Sequence, residues 1–252
     1  MKQYMTALVL SQESVGKDIY SLWIKAEKVA EEAKPGQFMN IYTNDSSMLL
    51  PRPISICEIN AAQGTLRLVY RVAGKGTATF RSLTSGDEIT ILGPLGNGFP
   101  IVDKKAMVIG GGIGIPPMLE LSKHLQDPVI VAGYRDEQFL KRDLEKYGKV
   151  YISSDVGLFG TRGTVLDAIR ENNLSAEVIY ACGPMPMLSA LKKYAVEQGI
   201  KAYISLEERM ACGVGACLGC VCKTVKVDHH THVNNTRVCT EGPVFDAEEV
   251  EI

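Results

Sequence analysis

The chain contains, at positions 106–117, the segment Ala106-Met107-Val108-Ile109-Gly110-Gly111-Gly112-Ile113-Gly114-Ile115-Pro116-Pro117. A short apolar run leads into a glycine-rich turn, and residues with helical spacing follow. This order is typical of a buried strand, a pyrophosphate-binding loop and a helix whose first N–H groups face the ligand. The register fits G-x-G-x-G-x-x-P, with Gly110, Gly112 and Gly114, rather than G-x-G-x-x-G. The segment predicts a nucleotide-binding α/β domain, although such a loop can also be purely structural.

Outward from this loop, short apolar runs alternate with segments of helical spacing. The predicted strands are Ala106–Ile109, Val129–Ala132, Val150–Ile152, Val178–Ala181 and Ala202–Leu206. The predicted helices are Pro117–Leu125, Glu137–Tyr147, Thr164–Glu171 and Met185–Gln198. Such alternation predicts an open, doubly wound sheet with helices on both faces.

A second nucleotide-site signal is Cys182-Gly183-Pro184, which follows the fourth predicted strand of this domain. Ligands of open α/β sheets bind at the carboxyl ends of the strands, so Cys182 is a candidate for contact with the nicotinamide ring. The alternative is a small residue that closes the strand. After the second strand, Arg135 would favour a 2′-phosphate and Asp136 a free 2′-hydroxyl, which leaves NADP and NAD both open.

The N-terminal segment is rich in β-type runs separated by turn residues. Six strands are predicted, at Met5–Leu10, Ile19–Ala26, Gln37–Tyr42, Ile54–Ile59, Thr65–Val72 and Glu88–Leu92. They predict a small antiparallel barrel, interrupted by one short helix at Thr77–Leu83. The Gly/Pro cluster at 93–100 predicts a domain boundary, so we expect domains at 1–99, 100–206 and 207–252.

The barrel segment carries three groups of candidate flavin-binding residues: Arg52-Pro53-Ile54-Ser55, Val69-Tyr70-Arg71 and Gly76-Thr77. Arginine guanidinium groups suit bidentate contact with phosphate, and a helix start supplies further N–H donors. For each arginine taken alone, an exposed ion-pair partner is the favoured interpretation. Followed by a nicotinamide-type domain, the set predicts a site for the pyrophosphate and isoalloxazine of a flavin.

Cysteine positions give the most specific chemical signal in the chain. Cys212, Cys217 and Cys220 have the spacing C-x4-C-x2-C, and Cys239 follows 19 residues later. This spacing is typical of a plant-type [2Fe–2S] cluster, in which a tight loop supplies three thiolates and a distant residue the fourth. A tetrahedral zinc site is the alternative, but zinc ribbons usually have two C-x2-C pairs.

For Cys222 and the histidine imidazole groups, the sequence predicts no ligand role. We expect Cys222 to be a buried packing thiol. His229, His230 and His232 lie in one polar run that predicts a solvated hairpin tip rather than a Rieske site, and His124 in a helix has no predicted partner.

Composition limits the possible function classes. The chain has 252 residues, a hydrophobic fraction of 46% and a formal net charge of −2, which argue against a polyanion-binding surface. Residues Met1–Thr6 contain no apolar run of signal-peptide type, and no stretch is long enough for a membrane span. A cytoplasmic location is therefore expected, where clustered cysteines indicate metal or redox chemistry rather than disulfides.

Several of these motifs occur in an order that resembles a known family. Arg52-Pro53-Ile54-Ser55, the glycine loop and Cys182-Gly183-Pro184 are followed by two cysteine blocks, Met210–Cys217 and Cys239–Phe245. The chain resembles the electron-transfer subunits of dihydroorotate dehydrogenase B, within the ferredoxin-reductase superfamily. The arginine-proline and glycine motifs are shared across that superfamily, whereas the C-terminal cysteine block is more specific.

This resemblance implies FAD in the barrel, NADH in the α/β domain and a [2Fe–2S] cluster on Cys212, Cys217, Cys220 and Cys239. It also implies an FMN-containing catalytic partner that oxidises dihydroorotate to orotate in pyrimidine biosynthesis, with two copies of each chain. Small subunits of NADPH-linked, electron-bifurcating reductases share the same three modules and stay an alternative. So do a stand-alone NAD(P)H:acceptor flavin reductase and a zinc-stabilised nucleotide-binding module.

Overall fold

The structure is a computed structural model in which residues 2–227 and 232–252 are described. Its N-terminal part is a closed, antiparallel six-stranded barrel, which confirms the predicted architecture. The strands are β1 (Gln3–Gly16), β2 (Ile19–Lys25), β3 (Phe38–Ile41), β4 (Arg52–Asn60), β5 (Thr65–Arg71) and β6 (Glu88–Leu95), in the spatial order β1-β2-β5-β4-β3-β6. Alternation along β3 directs Met39 and Ile41 into the barrel core, whereas Phe38 packs outside it.

Two short helices accompany the barrel. Helix α1 (Glu27–Glu32) was not predicted, although strong helix formers occupy it and its Val29 and Ala30 are buried. The helix predicted at Thr77–Leu83 begins earlier, as α2 (Lys75–Thr79), and ends in the 3-10 turn Phe80–Ser82.

The middle of the chain forms a parallel sheet with helices on both faces, as predicted. Its strands are β7 (Ala106–Gly111), β8 (Val129–Tyr134), β9 (Lys149–Ser154), β10 (Thr161–Arg162), β11 (Val178–Cys182) and β12 (Lys201–Ser205), in the order β10-β9-β8-β7-β11-β12. Its helices are α3 (Ile115–Lys123), α4 (Lys141–Leu144), α5 (Val165–Glu171) and α6 (Met185–Gln198). Alternate strand residues pack against α3 and α4 on one face and against α5 and α6 on the other.

One predicted helix of this domain is wrong in extent. The segment Glu137–Tyr147 is helical only at α4, because Leu140 immediately before it has a positive φ of 59°. The preceding residues are held as a loop on β8, since Tyr134 Oη donates to the Phe139 carbonyl over 2.7 Å. The two rings also pack edge to face, with centroids 5.5 Å apart.

The C-terminal part is attached to both other parts. It contains β13 (Val221–Lys223), β14 (Asn235–Arg237) and β15 (Val244–Asp246). Strands β13 and β14 pair with each other, and β15 pairs antiparallel with β12 at the edge of the nucleotide-domain sheet. The expected region 207–252 therefore contributes a strand to the preceding domain, which its polar composition did not predict. His229 and His230 of the predicted hairpin tip lie outside the described residues, whereas His232 is described.

Buried charged side chains connect the barrel to the nucleotide domain. Glu120 on α3 is 2% exposed, and its Oε2 accepts a hydrogen bond of 2.7 Å from the backbone N–H of Ile59. Arg67 on β5 is 7% exposed and reaches Asp143 Oδ2 of α4 at 3.0 Å. In the part of the chain described here, no helix is both long and apolar enough to cross a membrane.

Candidate functional site

The glycine loop lies at the centre of the sheet, where β7 and β11 are neighbours and the strand order reverses. Gly110 pairs with Cys182 across these strands, and the turn after β7 contains Gly112 at a φ of +53°. A Cβ atom on Gly114 would collide with the Cys182 carbonyl and lie 2.6 Å from the Gly183 nitrogen. Gly114 therefore allows the start of α3 to approach β11, as a dinucleotide-binding crevice requires.

A cavity of about 730 Å³ opens beside this loop, between the barrel and the nucleotide domain. Its wall includes Gly112 and Pro184 from the predicted loops, and both Arg135 and Asp136 after β8. Arg71, predicted for the flavin, also lines this cavity from the barrel side. Gly110, Gly114, Cys182 and Gly183 do not line this cavity. The volume and the mixed polar wall suit a nucleotide ligand.

Cys182 occupies the last position of β11 and is partly exposed. Burial of its sulfur raises the pKa of the thiol to about 12, against the lowering effect of a hydrogen bond with Ser205. The thiol is therefore protonated at neutral pH and is not suited to act as a base or a nucleophile. Its predicted contact with the nicotinamide ring stays a prediction.

We expect Cys182→Ala to slow reduction of the bound flavin by NADH about tenfold, because a loosened nicotinamide ring loses its reacting geometry. Anaerobic stopped-flow measurement of flavin bleaching tests this, with dithionite reduction of the cluster as the control. A rate of hydride transfer equal to that of the unmodified chain would assign Cys182 a structural role only.

The outer face of β3 and β4 carries the first flavin motif. Pro53 pairs with Asn40 and Ser55 with Phe38, so these four side chains share the face outside the barrel. Asn40 is fully buried, and its Oδ1 is the buried side-chain oxygen without a hydrogen-bond partner among residues 2–227 and 232–252. An unpartnered acceptor of this kind is expected where a bound group completes the hydrogen bonding.

Arg52 lies directly over the start of α2. Its Nη1 donates to the Leu50 carbonyl at 2.6 Å, and any Cβ atom on Gly76 would collide with its guanidinium group. Thr77 Oγ1 accepts the Ala73 N–H at 2.9 Å and closes this turn. Gly76 is buried. The glycine thus leaves room for a guanidinium group beside backbone donors, and the arrangement fits a phosphate-bearing flavin.

The side chains of the second predicted flavin motif, Val69-Tyr70-Arg71, lie in three environments. Arg71 lines the cavity described above. Val69 packs between the barrel and the nucleotide domain. The Tyr70 ring is 1% exposed inside the barrel, where its hydroxyl donates to Gln12 Oε1 at 2.9 Å. The Tyr70 side chain therefore belongs to the barrel interior. Ile54 of the first motif also packs against the barrel core.

Removal of the Arg52 guanidinium should weaken FAD binding. A charge-assisted phosphate contact is worth about 1.5–3 kcal/mol, so Arg52→Ala should raise the dissociation constant of FAD by roughly one to two decades. The purified variant should be depleted in FAD but retain its iron. Full FAD occupancy after dialysis against flavin-free buffer would contradict the assignment.

Cys212 and Cys217 form the first of two thiol pairs in the C-terminal part. The N–H groups of Val214 and Ala216 point at Cys212 Sγ, at 3.4 and 3.3 Å. Desolvation raises the pKa of this thiol, but the N–H groups and Cys217 outweigh it and lower the pKa to about 6. Cys212 is thus prepared as a thiolate, the form that binds metal.

Cys220 and Cys239 form the second pair. Both are buried, and they belong to the same continuous hydrophobic cluster as Phe38 of the barrel. Desolvation and a hydrogen bond between the two thiols raise the pKa of Cys239 to about 11 without metal. Among the described residues, no three His, Cys, Asp or Glu side chains are placed to hold one metal ion. Two thiol pairs match the needs of a binuclear [2Fe–2S] cluster, with two thiolates for each iron.

Cys222, two residues beyond Cys220, is half-buried against the same hydrophobic cluster. Desolvation by burial raises the pKa of its thiol to about 11. These surroundings agree with the packing role expected for it.

Asn40 and Asn97 connect the cysteine region to the barrel. Asn40 Nδ2 donates to the Cys212 carbonyl at 3.3 Å. Asn97, in the linker after β6, donates to the Val244 carbonyl at 2.7 Å and accepts the Val244 N–H at 3.0 Å. Sequence reasoning missed both residues, because neither has a local signal that distinguishes it from an ordinary strand or turn asparagine.

Comparison with known proteins agrees with this three-part arrangement. The family profile described as the oxidoreductase FAD-binding domain matches residues 6–99. The profile of the iron–sulfur cluster binding domain of dihydroorotate dehydrogenase B matches residues 207–251. Both cofactor predictions, FAD in the barrel and an iron–sulfur cluster in the C-terminal part, are thereby confirmed.

Several relatives that match over nearly the full length share one name. A protein of Fusobacterium nucleatum subsp. nucleatum, the dihydroorotate dehydrogenase B (NAD(+)) electron transfer subunit, is 42% identical over 94% of this chain and 95% of its own length. The same subunit of Listeria innocua serovar 6a is 42% identical over 97% of each chain. In a solved structure of an NADH-dependent reduced ferredoxin-NADP oxidoreductase, one chain superposes with a TM-score of 0.87 at 26% identity, over 97% of this chain and 89% of that one. The chain belongs to the family of electron transfer subunits of dihydroorotate dehydrogenase B (NAD(+)).

Proposed function

We propose that this chain carries electrons between NAD(H) and the catalytic subunit of a dihydroorotate dehydrogenase, within pyrimidine biosynthesis. The observation that carries the proposal is the contact between the cysteine region and the flavin face of the barrel. Asn40, opposite Pro53, donates to the Cys212 carbonyl. Phe38, opposite Ser55, belongs to the same buried cluster as Cys220 and Cys239.

Each ligand has a proposed set of residues in this chain. NAD(H) is held in the cavity by Gly110, Gly112, Gly114, Gly183 and Pro184, with Cys182 beside the nicotinamide. FAD is held by Arg52-Pro53-Ile54-Ser55, Val69-Tyr70-Arg71 and Gly76-Thr77. The [2Fe–2S] cluster is held by Cys212, Cys217, Cys220 and Cys239. When bound, FAD accepts electrons from a hydride in pairs and the cluster accepts them singly, which connects a two-electron donor to a one-electron path.

The chain's own residues perform binding and orientation in this scheme. Arg52 neutralises flavin phosphate, and the glycine loop presents backbone N–H groups to the nucleotide pyrophosphate. Asp136 accepts hydrogen bonds from an unphosphorylated ribose, which favours NAD over NADP. The N–H groups around Cys212 stabilise negative charge on its sulfur.

An FMN-containing catalytic partner, with two copies of each chain, completes the proposal. Exposed apolar side chains flank the accessible thiol Cys217: Val214 is 40% exposed and Leu218 64% exposed. Apolar groups beside a redox centre suit a protein interface, because electron transfer needs close approach of the two sites.

Reconstitution tests this function. The chain should co-purify with a dihydroorotate-oxidising subunit, and NAD-dependent oxidation of dihydroorotate should require both. A partner that reduces NAD at the full rate alone, or that never associates with this chain, would refute the assignment.

The structural similarity to the NADH-dependent reduced ferredoxin-NADP oxidoreductase supports a second candidate, a small subunit of a bifurcating reductase. Its test uses the same preparation. Association with a flavoprotein that oxidises NADPH while it reduces ferredoxin and NAD, with no response to dihydroorotate, would favour this second candidate.

A further inference from the structure

One peptide unit in the cysteine loop is held from both ends. The Gly215 carbonyl accepts a hydrogen bond of 3.1 Å from Arg237 Nη1. The N–H of the same peptide unit, on Ala216, points at Cys212 Sγ over 3.3 Å. Because a trans peptide is planar and its carbonyl and N–H point in opposite directions, a donor on the carbonyl fixes the aim of the N–H.

Arg237 is itself rigidly placed by Glu241. The carboxylate accepts from Arg237 Nε at 3.0 Å and from Nη2 at 2.6 Å, which is the bidentate geometry of an arginine–carboxylate pair. Glu241 Oε2 also accepts the Arg237 backbone N–H at 3.0 Å and the Thr240 hydroxyl at 2.8 Å. Arg237 and Glu241 lie on either side of Cys239 in the sequence. Arg237 also contacts the loop that contains Cys212.

Gly215 is required for this reach. Its φ is +89°, in the region that favours glycine, and a Cβ atom there would lie 2.9 Å from Thr240 Cγ2. The loop thus approaches the segment of the fourth cysteine closely enough for the Arg237 guanidinium to meet a backbone carbonyl.

We propose that Arg237, held by Glu241, is a positioning residue that orients the Gly215–Ala216 peptide toward Cys212 Sγ and thereby raises the reduction potential of the cluster. Hydrogen bonds to cluster sulfurs stabilise the reduced, more negative state, so loss of the N–H contact lowers the potential. The inference rests on the cluster ligands of the proposed function.

A pure charge effect makes a different prediction, which allows a sharp test. If only charge mattered, Arg237→Gln would lower the potential, Arg237→Lys would restore it and Glu241→Gln would raise it. If positioning matters, all three variants lower it, because lysine lacks the planar fork and glutamine at 241 releases the guanidinium. The opposite sign for Glu241→Gln separates the two mechanisms.

The experiment is an EPR-monitored redox titration of the purified holo-chain and these three variants. We expect the ratio of oxidised to reduced cluster at a fixed potential to rise about three- to tenfold in each, the range for one weakened hydrogen bond. Deuterium ENDOR in D₂O should lose one exchangeable coupling in each variant. Arg209→Gln is the matched control, because Arg209 is exposed and lies three residues before Cys212.

The results have defined meanings. A raised potential in Glu241→Gln, a restored one in Arg237→Lys, or no shift in any variant overturns the proposal. A variant that loses the cluster supports it only if Arg209→Gln keeps the cluster and FAD content is unchanged; combined loss of cluster and FAD counts against it. Iron and sulfide in the unmodified chain test the cluster itself, so a failed cluster assignment is recognised separately.

Discussion

Cys217→Ser will give a folded chain that retains FAD but contains no [2Fe–2S] cluster and passes no electrons through it to the catalytic partner. Cys217 is exposed and lies opposite Cys212 in the first thiol pair, so its loss leaves one iron with a single thiolate. A serine hydroxyl is a far weaker ligand for iron in such a cluster than a thiolate. The contact of this loop with the barrel is a hydrogen bond from Asn40 to the backbone carbonyl of Cys212 and does not involve the Cys217 thiol, so FAD binding should persist. Iron, sulfide and flavin assays on one preparation measure the outcome.

Cys222→Ser is the matched control for this loss. The same thiol-to-hydroxyl change is made two residues from a proposed ligand, at a half-buried position. Burial of the new hydroxyl should cost about 1 kcal/mol of stability, with the iron content unchanged. Iron that survives Cys217→Ser but disappears in Cys222→Ser would reverse the ligand assignment.

Local spacing explains why the cysteine region was predictable. Cys212, Cys217 and Cys220 sit on one short loop, so their separation in sequence limits their separation in space. Arg237 and Asn97 could not be found in this way, because their partners lie 22 and 147 residues away. Their function depends on tertiary packing, which no local pattern encodes.

Strand patterning was equally informative for the barrel, but side-chain direction was not assigned in advance. Tyr70 and Arg71 are adjacent in sequence, and alternation sends one ring into the core and the other side chain toward the nucleotide cavity. Consecutive residues of one sequence motif therefore place their side chains in different parts of the structure.

Tertiary context also overrode two segment predictions. Helical spacing at Glu137–Tyr147 yielded only α4, because the Tyr134 hydroxyl holds the preceding loop on β8. The polar C-terminal tail supplied β15 to the nucleotide-domain sheet, since Phe245 and Val244 bury against it. Propensity is a weak guide where a few long-range contacts decide the backbone.

Gly114→Ala will have the second-largest effect, a combined loss of stability and of NADH binding. The added Cβ would collide with the backbone of Cys182 and Gly183, which cannot rotate away as a side chain would. Such overpacking costs about 3 kcal/mol, and separation of α3 from β11 opens the pyrophosphate site. We expect the melting temperature to fall by several degrees and the dissociation constant of NADH to rise about 100-fold.

Gly112→Ala tests whether the loss of stability in Gly114→Ala comes from collision of the added Cβ atom rather than from the replacement of a loop glycine as such. A Cβ on Gly112 meets no atom within 4 Å, but its φ of +53° imposes a modest conformational cost of about 1 kcal/mol. Gly112 lines the cavity, so this variant should weaken NADH binding while losing far less stability than Gly114→Ala. Thermal unfolding and NADH titration of both variants measure the difference. Equal melting temperatures would show that the approach of α3 to β11 does not depend on the missing side chain at position 114.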